Sequence, residues 1–583
     1  MKFFLHAALF FGASFILSAQ MSTEQRLVDF QQLAALIAKR YSFVEWKQNA
    51  FQYDALDLQP WMTRIRAAKD DLEFYEICTE YIAKLQDGHS GFSTPSTFIA
   101  NLNFGVDLVE NKVIVDSIAR TALPIEKFPF QIGDEVVSID GKPVLERLAA
   151  IQPFYGSGSP RAAARFAVQF LTIRNQSFLP RAAEVGESAE VVIRRREGGA
   201  IETYQIPWVK SGLALVNAGP VPTPKTQRPS STAVGIDAPV EGPDGLPSPD
   251  YMATVRQKAN FRSNWIALTN ETGAQEQKFL AGVGAIAPVF DLPAGFVNRR
   301  GLGRFDNYSS GTFESGGVKF GFIRIPQFAG VSADFDAEIE FMERNTDGLI
   351  VDIMRNPGGS GCTMESLARR LAPDGLLGLA VSTRVTWEQI LSLESSLRFA
   401  ELFGASASEI EEIKRMLGEF RSAFSKPRGF TFLEPICSNS RALPAYTDRT
   451  GKQIAYSKPV VLLIDDLSSS AAEGFAAMMQ DNKRALLYGY RTGGLGGAVL
   501  STNVGFYMEA RTRYTYSILV RSTISTVPGY PAEPYIENIG VHPDKVSDTA
   551  TVEFIATRGK DWVEKMVSEA VEYVNAKKTT TLP

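Results

Sequence analysis

The chain is poor in histidine and cysteine and has no basic block. Of its 583 residues, three are histidine (His6, His89 and His542) and three are cysteine (Cys78, Cys362 and Cys437). Three scattered cysteines can form at most one bridge, which excludes a disulfide-built scaffold. There is no CxxC, no HExxH and no His/Cys cluster at ligand spacing, so no metal and no other cofactor is expected. Acidic residues outnumber basic ones, 65 to 60. Without a run of Lys or Arg, nucleic acid is not an expected partner. Past the first 20 residues no apolar run reaches the ~20 residues of a bilayer span, and no internal repeat is evident.

The first residues are of another kind. Met1-Lys2 leads into an apolar stretch over 3–17, then Ser18-Ala19-Gln20. This is the pattern of a secretory signal peptide, expected to be removed after residue 19. An uncleaved anchor is the rival reading, but the run is short for a span. The mature protein is then expected to be secreted or periplasmic, with no stable membrane span, and to retain two histidines.

Length calls for several domains, and the pattern suggests an α/β multidomain chain. Residues 20–100 read as a helical region. Ser22 and Gln25 form a capping-box pattern, and Leu27, Phe30, Ala34, Ile37 and Tyr41 follow at helical spacing. A second helix is expected over 72–86, stopped by Gly88, with His89 just beyond it. Residues 101–212 look β-rich. Within them, 132–144 reads as a strand, a tight Asp140-Gly141 turn and the start of a second strand, a pattern similar to a PDZ module. Eight prolines fall within 219–250, so 213–312 is expected to be a linker or a processed insert. Residues 313–583 alternate strand and helix in the α/β manner, with a charged helical insert over 386–425.

Two strand-to-helix turns of this last region could carry chemistry. A buried strand over 348–354 runs into Arg355-Asn356-Pro357-Gly358-Gly359. Another, over 459–464, runs into Asp465-Asp466-Leu467-Ser468-Ser469-Ser470-Ala471-Ala472-Glu473. Ser470 and Glu473 can simply be a capping box. On a sharp turn, however, the serine hydroxyl is exposed, and the N–H groups of Ala471 and Ala472 face whatever it attacks. The two glycines let backbone approach a ligand without a Cβ in the way. A serine nucleophile usually needs a base titrating near neutrality. His89 lies beside Asp87, His542 lies before Pro543, and Glu537 stands in an apolar stretch. Each of these has an ordinary structural reading as well.

Taken in order, Leu85-x-Asp87-Gly88-His89-Ser90, the PDZ-like Gly133-Asp134 to Asp140-Gly141 stretch, Asp352-x-x-x-Asn356-Pro357-Gly358-Gly359 and Ser470-Ala471-x-Glu473 resemble the C-terminal-processing (tail-specific) serine peptidases. The resemblance covers about residues 24–546. Members that use a Ser–Lys pair carry a lysine after the nucleophile helix. Here the matching run, 489–497, has none, which is similar to the histidine-using branch. The resemblance implies a ClpP/crotonase-like peptidase core and an endopeptidase acting on proteins or peptides. It implies Ser470 as nucleophile, His89 as base and Glu537 as the carboxylate acting on it. It places the oxyanion hole at Ala471, Gly358 and Gly359. It also implies a homodimer and a zymogen that removes its own internal segment. The competing expectation is a non-catalytic peptide- or ligand-binding protein on the same fold.

Overall fold

The computed structural model describes residues 20–215, 282–302, 306–330, 334–426, 428–437 and 440–580. The expected leader, 1–19, and the proline-rich stretch, 219–250, lie outside the described residues.

A seven-stranded sheet forms the centre of the C-terminal half. Its order is Val297–Arg300, Ser309–Ser315, Val318–Arg324, Gly348–Asp352, Val460–Ile464, Ala485–Gly489 and Lys545–Val546. The first three strands are antiparallel, and from Val318–Arg324 onward neighbours run parallel. Gly348–Asp352 and Val460–Ile464 pair in register, Leu349 beside Val460, and every residue in both is buried. Strands covered on both faces read as unbroken apolar runs, which is why these two stand out in the sequence. Because they are parallel neighbours, their carboxyl ends lie side by side. The turns beginning at Arg355 and at Asp465 therefore meet at one edge of the sheet, where open α/β sheets place their ligands.

Helices cover the sheet, among them Phe335–Asn345, Gly361–Arg370, Ala471–Asp481 and Lys560–Thr580. Two antiparallel helices, Trp387–Leu402 and Ala407–Ser425, form a hairpin in the expected helical insert. A disulfide links Cys362, at the start of Gly361–Arg370, to Cys437, with Cα atoms 5.2 Å apart. Cys78 is free and buried.

In the β-rich region the strands Phe104–Val109, Lys112–Ile118, Glu135–Ile139, Ser188–Arg194 and Ile201–Pro207 pair in that order. Asp140 and Gly141 both take positive φ, 48° and 69°, as a tight hairpin turn requires. The second strand of that hairpin is only Lys142–Pro143. Proline cannot extend the ladder, and the helix Val144–Ile151 starts at once.

The N-terminal helices Thr23–Arg40, Val44–Phe51, Gln59–Ala67 and Asp71–Ala83 do not enclose a core of their own. Phe30, Leu33, Tyr75 and Tyr81 share one apolar cluster with Val504, Ala510, Tyr514 and Tyr516 of the C-terminal half. The short strand Gly91–Ser93 pairs antiparallel with Ala510–Thr515, Gly91 beside Arg513. This junction docks the segment with His89 on a small separate sheet, Gly91–Ser93, Ala510–Thr515 and Val499–Val504, of the C-terminal half that also carries Ser470. The preceding helix ends differently from expectation. Gln86, not Gly88, takes the left-handed conformation, at φ 50°. Gly88 is needed for space: a Cβ there would lie 2.8 Å from Leu495 Cδ2 and 3.2 Å from Ser157 Oγ.

Candidate active site

Ser470 is the residue before the helix Ala471–Asp481, and its backbone is strained, with φ 58° and ψ −120°. Positive φ in a non-glycine residue costs ~1–3 kcal/mol and persists only where surroundings impose it. Here the two turns are laced together. The Arg355 N–H donates to Asp465 Oδ1 at 2.8 Å, and the Ser469 N–H donates to the Asn356 carbonyl at 2.9 Å. The Ser468 hydroxyl donates to the Ile353 carbonyl at 2.9 Å. Asp352 pairs with the fully buried Arg324 at 2.8 Å, so the aspartate of the Asp-x-x-x-Asn-Pro-Gly-Gly run supports the strand end and does not face a substrate.

Gly358 lies against the serine. A Cβ on it would stand 2.6 Å from Ser470 Cβ and 2.9 Å from the Ala471 nitrogen. Its own N–H donates to Asn356 Oδ1 at 2.7 Å. That hydrogen bond shapes the turn, and the bare Cα of Gly358 supplies room beside the serine. Gly359, at φ 138°, bridges to Phe328, whose N–H and carbonyl are taken by Gly358 and Ser360. The Ala471 N–H begins the helix, where first-turn N–H groups have no intrahelical acceptor. Ser470 opens on an apolar pocket lined by Met364, Ile436, Ala498 and Leu519.

Glu473 does more than cap. Its carboxylate accepts from the Ser470 N–H at 3.2 Å, the Thr492 hydroxyl at 2.6 Å, and the Gly494 and Leu495 N–H groups at 2.8 and 2.7 Å. Burial pushes it up to about 7, against those hydrogen bonds. The glycine-rich run after the nucleophile helix, where a lysine is missing, is thus fastened directly to the serine turn.

His89 is buried, at 1% exposure. Its N–H donates to Asp87 Oδ1 at 2.8 Å. The Arg513 guanidinium donates to the carbonyls of His89 and Gly88. Asp87 also accepts from Ser90 and Thr515, each at 2.7 Å. Burial pushes the His89 imidazole down to about 4; Asp87 opposes this and Arg513 adds to it. The ring is therefore neutral at neutral pH, the form a general base requires. His542 is placed elsewhere. Its carbonyl takes the Gln480 side-chain N–H at 2.8 Å, at the far end of the helix that starts after Ser470. That is ~15 Å away at 1.5 Å per residue.

Glu537 is fully buried. One carboxylate oxygen lies 2.5 Å from Lys47 Nζ, and the other accepts the Gly496 N–H at 3.0 Å. Burial and the nearby Asp87 push Glu537 up to about 8, with Lys47 pulling it back. Lys47 comes from the helix Val44–Phe51 and was not anticipated. A lone lysine on a short helix reads as a solvated side chain, so no signal in the sequence marks it. Asn538, at φ 60°, was likewise missed, although Asn is among the few residues that tolerate that conformation. It accepts from Trp46 Nε1 at 2.9 Å and donates to the Gln86 carbonyl at 2.8 Å.

The β-rich region reaches the same turns. Arg165 is buried and bonds both Asp107 of Phe104–Val109 and Asp466 of the serine turn. Among the described residues no group of three or more His, Cys, Asp or Glu could hold a metal ion, and no helix is long and apolar enough to cross a membrane.

Residues 319–547 match the profile of Peptidase family S41, and residues 99–212 match that of a PDZ domain. A protein of Chlamydia pneumoniae is 23% identical, over 96% of this chain and 93% of its own. One of Chlamydia trachomatis is 24% identical, over 89% and 87%. The structure of mature CPAF complexed with lactacystin superposes with a TM-score of 0.70 at 20% identity, over 95% of this chain and 99% of that one. At that identity the likeness establishes the fold. The chain is a serine peptidase that carries a Peptidase family S41 domain over 319–547, with a PDZ domain ahead of it over 99–212.

Proposed function

We propose that this protein is an exported serine endopeptidase in which Ser470 is the nucleophile, His89 the general base and Glu537 the supporting carboxylate. The observation that carries the reading is the strained Ser470, set before a helix amino terminus and opening on an apolar pocket. In the proposed reaction Ser470 Oγ attacks the peptide carbonyl as the neutral His89 takes its proton. The N–H of Ala471 and a glycine N–H from Gly358-Gly359 hold the developing oxyanion, and such donors contribute roughly 3–4 kcal/mol each. His89 then protonates the leaving amine, and water repeats the sequence on the acyl-enzyme. The hydrogen bonds of Glu537 go to Lys47 and Gly496, so its support of His89 acts through the local field and the packing of the turn. Met364, Ile436 and Leu519 favour an apolar side chain next to the scissile bond.

Export follows from the expected leader and agrees with the Cys362–Cys437 bridge, since disulfides persist in oxidising compartments. CPAF is described in a mature form. By that likeness we also assign to this chain self-processing within 213–312; the homodimer is assigned from the resemblance of its motifs to the histidine-using processing peptidases. Ser470→Ala should lower kcat by ~10⁴-fold or more, abolish labelling by a fluorophosphonate, and leave the chain intact on long incubation. Peptidase activity persisting in Ser470→Ala would overturn the assignment. A wild-type protein that neither labels nor cleaves would favour the binding-protein reading.

A further inference from the structure

A buried cation stands where the three segments of the site meet. Lys47 has a side chain only 1% exposed, against a fully buried Glu537. Its ammonium has three hydrogens and three acceptors: Glu537 Oε1 at 2.5 Å, Asn538 Oδ1 at 2.5 Å and the Gln86 carbonyl at 3.1 Å. The rings of Phe43 and Phe51 lie 5.8 and 5.7 Å from it. Gln86 begins the turn that carries Asp87, Gly88 and His89. Glu537 reaches the Gly496 N–H, in the run that Glu473 fastens to Ser470. The side chain therefore joins the histidine turn to the loop beside the serine.

We propose that Lys47 is a positioning residue of the peptidase, its ammonium holding the Glu537 carboxylate and the His89 turn in one arrangement. The inference rests on the Ser470–His89 reading. Stability alone does not account for the pair, because a buried ion pair is often no more stabilising than apolar residues of the same volume. What a three-point ammonium provides is geometry. With every hydrogen directed at Glu537, Asn538 or Gln86, Lys47 is not placed to take a proton from Ser470.

Without Lys47, Glu537 keeps the burial and the Asp87 charge that disfavour its ionised form and loses the cation that favours it. Its proton is then retained to higher pH. The test is the pH profile of kcat and KM for Lys47→Met, with Lys47→Gln as the variant that keeps hydrogen-bonding capacity if the first does not fold. At pH 7 kcat should fall at least tenfold with KM within twofold. Activity should be regained as pH rises, with the limb set by Glu537 displaced by a pH unit or more. That displaced limb should be absent from the same variant carrying Glu537→Gln. A folded variant with activity within threefold of wild type, or with a uniformly lower profile of unchanged midpoint, overturns the proposal. Ser470→Ala separates the two claims: if it still hydrolyses peptide, the underlying assignment has failed whatever Lys47 does.

Discussion

The serine half and the histidine half of the site are built in opposite ways. Ser470, Ala471, Gly358 and Gly359 stand on two adjacent turns at the ends of paired parallel strands. Their relation is fixed by the strand pairing, by the Ser469–Asn356 backbone bond and by the short side chains of Asp465 and Ser468 bonding to backbone. His89 comes from the N-terminal helical region. It is held by side chains: Arg513 on its carbonyl, Asp87 on its N–H, and Lys47 through Gln86. The first half depends on shape and tolerates no added atom. The second depends on buried charge and is tuned by protonation. Under the proposed assignment the nucleophile, Ser470, is strained at all times, while the base, His89, depends on the docking of the N-terminal region.

The difference can be broken from either side. On the serine side, Gly358→Ala puts a methyl 2.6 Å from Ser470 Cβ at φ 100°. Activity should fall by roughly 10³-fold, since displacement of a reacting group by ~1 Å already costs ~10². Labelling of Ser470 by a fluorophosphonate should fall with it. If Gly358→Ala labels at the wild-type rate, the fit at this turn is not what fixes the serine. On the histidine side, Arg513→Met removes the guanidinium from the His89 and Gly88 carbonyls. A loss of about 10²-fold in kcat is expected, with KM little changed. An effect on KM alone would place Arg513 in substrate binding.

The smallest effect on chemistry should come from Cys362→Ser with Cys437→Ser. The bridge closes a loop of 75 residues, and its loss should lower unfolding free energy by roughly 2–4 kcal/mol. Ile436 lines the pocket next to Cys437, so KM should rise modestly while kcat stays within about threefold. A denaturant titration beside steady-state kinetics separates the two.

The same division governs how much could be read from the chain. The serine half was legible because buried parallel strands leave unbroken apolar runs, and because Gly358-Gly359 and Ser470-Ala471-Ala472-Glu473 follow them directly. His89 was legible only through the missing lysine after the nucleophile helix. Its surroundings were not. Lys47, Arg165 and Arg513 are charged residues whose ordinary place is solvent, and only tertiary packing buries them. Gly88 was read as a helix stop by its local freedom, whereas its reason is Leu495, which lies far along the chain. With three cysteines, three pairings were open, and spacing selects none of them.

The central claim is that His89, neutral and buried, activates Ser470. The direct measurement is the rate of fluorophosphonate labelling of Ser470 against pH, in wild type and His89→Ala, with the labelled residue mapped by mass spectrometry. Burial holds His89 down to about 4, and a base works only when unprotonated. With Glu537 raised to about 8, wild-type labelling should fall as pH drops through 8 and fall again through the region of pH 4, with His89→Ala slower by ~10³-fold or more at pH 7 and lacking the lower step. A His89→Ala protein that labels as fast as wild type, with the same dependence on pH, would contradict the account.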